Sequence, residues 1–118
     1  MKALPLQSYN QSEIALIQDA LRVYMGSVPM TAARIILTDY IKVMKNGNQV
    51  QLDGMGMEHI YYALLVKSNE MARESESSHI EVKAVTKMAQ EIRKKRIHFQ
   101  QTFYKTYMLN EDYRSNSV

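Results

Sequence analysis

The chain has 118 residues, 46% hydrophobic and 23% charged, with a net charge of +3 and no cysteine. That size and balance fit one globular domain able to bury a core without covalent staples. Disulfides, thiolate catalysis and Cys-ligated zinc or iron–sulfur centres are excluded. The opening Met1-Lys2-Ala3-Leu4-Pro5-Leu6 has no sustained apolar stretch, and no apolar run reaches membrane-spanning length. No signal peptide and no membrane partner are therefore expected, and a cytoplasmic location is the simplest one.

The first helix is expected at about 10–25. Asn10 is its N-cap with Glu13 at the reciprocal capping position, and Gly26 ends it. Ile14, Ile17, Leu21, Tyr24 and Met25 share one face. Gly26-Ser27-Val28-Pro29 is a turn. The second helix follows at about 31–45 with Ala33, Ile36, Leu37, Tyr40, Ile41 and Met44 as its inward stripe, and Asn46-Gly47-Asn48 stops it. Gln49-Val50-Gln51-Leu52 alternates like a short extended segment, too little for a sheet by itself. A third helix is expected at about 57–73, after the glycine-punctuated Asp53-Gly54-Met55-Gly56. Its inward residues are Ile60, Tyr61, Leu64, Leu65, Ser68 and Met71. Ser78-His79-Ile80-Glu81 matches a capping box and opens a fourth helix, 78–109. Residues 1–109 then form one all-α bundle of about four helices, and 110–118 a flexible tail.

The fourth helix is the most pointed segment. Val85, Met88, Ile92, Phe99, Phe103 and Tyr107 form an apolar stripe, interrupted where Arg96 stands. Ile97, Tyr104 and Met108 form a second apolar line beside it. Lys83, Lys87, Lys94, His98, Gln101 and Lys105 share another side, and the segment carries the run Arg93-Lys94-Lys95-Arg96. Five cations balance five acids in residues 1–59, so the excess charge lies wholly in the second half. Such asymmetry points to an acidic partner, while a solvated face with a Glu91–Lys95 pair explains the same residues without one.

Chemistry-bearing patterns are otherwise thin. His59, His79 and His98 lie on different segments, and none has metal-ligand spacing to another. Only convergence of these histidines with carboxylates in space would make a metal site or an enzyme, so no enzyme, metal or cofactor is expected. No nucleophile elbow surrounds Ser75, Ser77 and Ser78, and four glycines form no phosphate loop. A helix-turn-helix reading of the first two helices finds only Arg34, Lys42 and Lys45 as cations on the second. Nine methionines and eight tyrosines suit adaptable contacts, in a core or at an interface. Tyr61 and Tyr62 are adjacent, so they cannot both face one core, and one of them is expected at a rim or interface.

The pattern Glu13-x-x-x-Ile17-x-x-Ala20-Leu21-x-x-Tyr24 resembles small helical accessory proteins of phages and prophages of Gram-positive bacteria. The resemblance covers the first helix alone. It implies a regulatory protein that binds a host or phage macromolecule, and it carries no functional residues across.

Together these features predict a non-enzymatic helical protein that binds and modulates a protein partner, with a homodimer as one arrangement. The expected contact residues are Arg93, Lys94, Lys95, Arg96, Ile97, Tyr104 and Met108, with Tyr61 and Tyr62 as a second patch. The alternative is nucleic-acid binding through Lys87, Arg93, Lys94, Lys95, Arg96 and Lys105.

Overall fold

A computed structural model describes the backbone of residues 2–74 and 76–116 and the side chains of those residues through Thr102. Its described residues form four α-helices: α1 (Gln11–Gly26), α2 (Met30–Asn46), α3 (Gly54–Arg73) and α4 (His79–Asn116). A single 3-10 turn, Gly47–Gln49, follows α2. The chain is an all-α bundle. No helix among the described residues is long and apolar enough to cross a membrane.

The helix starts follow their caps. Asn10 accepts the Glu13 N–H at 2.9 Å while the Glu13 carboxylate accepts the Asn10 N–H at 3.0 Å, a complete capping box. Ser78 caps α4 by accepting the Glu81 N–H at 3.1 Å. Asp53 caps α3 by accepting the Gly56 N–H at 2.8 Å, so α3 begins at Gly54 rather than at 57. The acceptor side chain satisfies an orphan donor and offsets part of the poor helix propensity of two glycines, the packing of Met57 and Ile60 in the core supplying the rest. Gly47, which ends α2, sits at φ +56°, a conformation that glycine adopts without steric cost. α3 ends at Arg73 and α4 begins at His79, so the two are separate helices. The α4 backbone is helical to Asn116, past the expected boundary at Leu109, and residues 110–116 contain neither Pro nor Gly to stop it.

α3 is the central element, packed most extensively against α4 and next against α1. The core joins Ile14, Ile17, Ala20 and Leu21 of α1, Met57, Ile60, Ala63 and Leu64 of α3, and Val85, Met88, Ala89 and Ile92 of α4. The amino-terminal arm completes it. Leu6 is fully buried, Tyr9 nearly so, and Ala3 and Leu52 exchange backbone hydrogen bonds of 2.9 Å in an isolated antiparallel bridge. Val50 and Leu52 are both buried, so the alternating segment 49–52 finds its partner in the arm. Between α1 and α3, Lys67 reaches Asp19 at 2.9 Å. Hydrogen bonds from Lys67 and then Arg22 hold the Asp19 carboxyl below its usual value.

The rotation of α2 differs from expectation. Ile36, Asp39 and Val43 face inward, while Leu37, Ile41 and Met44 of the expected stripe are exposed. Asp39 is buried and pairs with His59 of α3, Oδ2 to Nδ1 at 2.5 Å. A carboxylate only accepts, so the imidazole N–H is the donor. Gly56 permits this approach, since a Cβ there would lie 3.0 Å from Leu52 Cδ2 and 3.2 Å from Asp39 Oδ1.

The register of α4 is testable by contrast. Ile92 is fully buried and Ile97 is exposed. Ile92→Ala should lower unfolding free energy by about 3 kcal/mol. Ile97→Ala should cost less than about 1 kcal/mol. Urea denaturation of the two variants checks both.

Candidate partner-binding surface

Consecutive residues on an α-helix step by about 100°, so four in a row point around the whole circumference. The run Arg93–Arg96 is accordingly dispersed. Arg93 is exposed and leans toward α3. Its guanidinium lies 5.6 Å from the centre of the Tyr61 ring and donates to the Tyr61 hydroxyl at 3.2 Å. Lys94 points to solvent. Lys95 turns to the amino-terminal arm, where its ammonium donates to the Pro5 carbonyl at 2.7 Å and sits 4.8 Å from the centre of the Tyr9 ring. Arg96 is half-buried, with its guanidinium 3.7 Å from the Glu58 carboxylate and its Nε buried without an acceptor. Two of the four cations thus hold the fold together, and a third is ordered on a tyrosine.

The two patches expected from sequence meet at Arg93. Tyr61 and Tyr62 touch edge to face, with ring centres 5.2 Å apart and planes at 63°. Tyr61 is half-buried between α3 and α4, whereas Tyr62 is exposed, as adjacency on one helix requires. Ile97 is exposed one turn beyond Arg93. The result is a surface of Tyr62, Tyr61, Arg93 and Ile97 running from α3 onto α4. Tyr24 of α1 borders it, and burial, with Tyr62 and Glu58 nearby, pushes its hydroxyl above the ordinary value. The expected contacts Tyr104 and Met108, like Lys105 of the nucleic-acid alternative, lie outside the described side chains.

A different side of α4 carries Lys83, Lys87, Lys94 and His98, all exposed. Glu91 does not pair with Lys95. It accepts a hydrogen bond from the Tyr9 hydroxyl at 3.2 Å, which turns both Glu91 and Lys95 toward the arm. Sequence reasoning missed Tyr9 and Pro5 in this cluster, because the arm that supplies them lies some eighty residues away and has no periodicity.

The histidines do not converge on one another. His59 meets Asp39 at the edge of an open cavity of ≈ 330 Å³, also lined by Arg34, Thr38, Lys42, Asp53 and Met55. His98 borders a separate cavity of ≈ 300 Å³ beneath the arm, and His79 is exposed at the start of α4. Among the described residues, no group of three or more His, Cys, Asp or Glu side chains is placed to hold a metal ion. Comparison with protein families, curated proteins and solved structures finds no match.

The Tyr9 cluster makes a prediction about alkaline pH. Burial first, then the charge and hydrogen bond of Glu91, raises the Tyr9 hydroxyl far above its ordinary value of 10.0. A raised folded-state value means that the folded chain keeps a proton the unfolded chain has lost, so the contribution is intact below pH ~10 and is lost as pH rises further. Wild type should therefore lose stability relative to Tyr9→Phe as pH rises above ~10, starting from whatever advantage the 3.2 Å hydrogen bond to Glu91 gives it at pH ~8. Urea unfolding of both proteins between pH 7 and 11.5 tests this.

Proposed function

We propose that the protein is a non-catalytic helical interaction module that binds and regulates a protein partner through Tyr61, Tyr62, Arg93 and Ile97. The observation that carries this reading is the ordered Arg93–Tyr61–Tyr62 cluster. Tyrosine and arginine dominate the residues whose truncation costs most at protein interfaces. A guanidinium already held against a ring loses less side-chain freedom when a partner covers it. The aliphatic Ile97 beside it adds apolar area, and the Glu58–Arg96 pair forms a polar edge. The resemblance of the first helix supports an accessory role in a phage or prophage, and the cysteine-free composition suits a cytoplasmic setting.

Affinity capture with quantitative mass spectrometry tests the proposal. Tyr62→Ala combined with Arg93→Ala should release a specific partner by roughly thirtyfold or more, as loss of a central hot spot does. Lys83→Ala with Lys87→Ala should retain it. Equal capture by all three proteins would refute this assignment of the surface.

A second reading, nucleic-acid binding, is favoured by one observation: Lys83, Lys87, Lys94 and His98 form an exposed line along α4. Three lysines on phosphates give a slope of log K against log salt of about −3. Titration of labelled duplex DNA from low to physiological salt should show that slope, and Lys83→Ala, Lys87→Ala and Lys94→Ala should each make it shallower by roughly one. No binding at low salt would remove this reading.

A further inference from the structure

The outward face of α2 is unlike the rest of the surface. Met30, Arg34, Leu37, Ile41 and Met44 step by four, three, four and three residues, the spacing of a two-heptad seam. Met30 is 71% exposed, Leu37 43%, Ile41 44% and Met44 53%. Together these four side chains expose on the order of 400 Å² of apolar surface, the size at which a patch on a monomer is commonly functional. The seam is narrow. Thr31, Thr38 and Lys45 line its open edge, and Ala33 and Tyr40 close the other against the body of the protein. Exposed Ile35 and Met55 border the Asp39–His59 cavity, which Arg34, Thr38 and Lys42 also line, so the cavity adjoins the seam at Arg34.

The charge that α2 itself contributes to this face has one sign, and Asp53 across the adjoining cavity is engaged as the cap of α3. Arg34 stands within the seam, and Lys42 and Lys45 flank it. The single carboxylate of α2, Asp39, is turned inward onto His59. A second copy would not complete such a seam. Parallel pairing stacks Arg34 on its own counterpart. Antiparallel pairing centred between Leu37 and Ile41 sets Arg34 beside Met44 and Lys45 of the other copy. Neither arrangement brings a carboxylate to a guanidinium that the contact would dehydrate. A bilayer surface calls for a broad apolar face, whereas a strict seam with threonines at its edge fits one opposing helix.

We propose that α2 is a docking seam for an acidic amphipathic helix of another protein, with Leu37 and Ile41 as apolar anchors and Arg34 as the receiver of a carboxylate. The seam is separate from the Tyr61–Arg93 surface, since α2 does not pack against α4 among the described residues. The proposal stands without that surface.

The probe is a three-heptad synthetic peptide with Leu at its seam positions and Glu on both flanks, a charge pattern that discourages its own pairing. Its twin carries Lys in place of Glu. Fluorescence anisotropy with the full chain should show the Glu peptide binding at least about tenfold more tightly than the Lys twin. Arg34→Glu should remove or reverse that preference. Leu37→Lys with Ile41→Lys should abolish binding while the chain keeps its helical circular dichroism and a cooperative melt, because both side chains are already half-exposed. Failure of the Glu peptide to bind, or equal affinity for the twins, would overturn the proposal. So would concentration-dependent dimerisation abolished by the double lysine variant, which would give the face to a second copy. Binding to phosphatidylserine vesicles without binding to either peptide would give it to a bilayer.

Discussion

The part-buried Asp39–His59 hydrogen bond fixes how α2 faces, and the distribution of exposed apolar side chains follows from it. A carboxylate removed from water and left unpaired costs several kcal/mol, so once Asp39 points inward it requires a donor. His59 supplies one from the first turns of α3, and Gly56 leaves the space for the two helices to approach. With Asp39 inside, the positions three and four residues away that lie inward with it are Ile36 and Val43, both buried. Leu37, Ile41 and Met44 then have to lie outside. Leaving those three half-exposed forgoes on the order of 1 kcal/mol each. The tertiary arrangement overrides the local apolar pattern here, and such departures concentrate where a protein has a use for the exposed face.

The basic run of α4 shows the complementary effect. Four cations adjacent in sequence look like one patch, but helical geometry sends them in different directions. Lys95 binds the amino-terminal arm by combining a carbonyl acceptor with an aromatic ring, and Arg96 lays its stem across the α3–α4 junction with its head near Glu58. These residues do part of the work that larger apolar side chains would do in a longer core. Among the described residues, the positive charge still exposed on α4 is carried by Lys83, Lys87, Lys94 and the partly engaged Arg93.

The four helices and the caps of α1 and α4 were legible in the sequence, because capping residues and helical spacing are local signals, whereas the Asp53 cap of α3 was hidden by the glycines that follow it. Asn10 with Glu13 and Ser78 with Glu81 mark the starts of α1 and α4 closely. The rotation of α2 was not legible. Its apolar residues occupy two adjoining faces, and spacing alone cannot say which one meets the core; that choice rests on a histidine twenty residues away. The same holds for Tyr9 and Leu6, whose segment has no period and gains its burial only when α4 and the 50–52 segment are in place. Ile17, Ala20 and Leu21, the apolar positions of the first-helix pattern on which the expectation of a phage-type accessory protein rested, are fully buried. Similarity at those positions reports core packing rather than a shared binding surface. The Tyr61–Tyr62–Arg93 cluster was legible in part, since adjacency forces one tyrosine outward, but its union with Arg93 required the packing of α3 on α4.

The two surface regions sit on elements that are held differently. Tyr61, Arg93 and Ile97 lie on the α3–α4 pair, the most extensively packed part of the bundle. A ligand there meets a platform already set, so its binding energy is spent on contact and little on ordering. α2 leans mainly on α1 and touches α3 lightly, with Asp39–His59 as its part-buried polar link to α3. A helix docked on α2 would cover apolar surface that water now contacts and add a layer to the least supported helix. By mass action, a ligand specific for the folded state stabilises that state as a whole. At equal saturation, occupancy of either surface would raise global stability by the same term, and occupancy of α2 would in addition hold that helix against local detachment from the bundle.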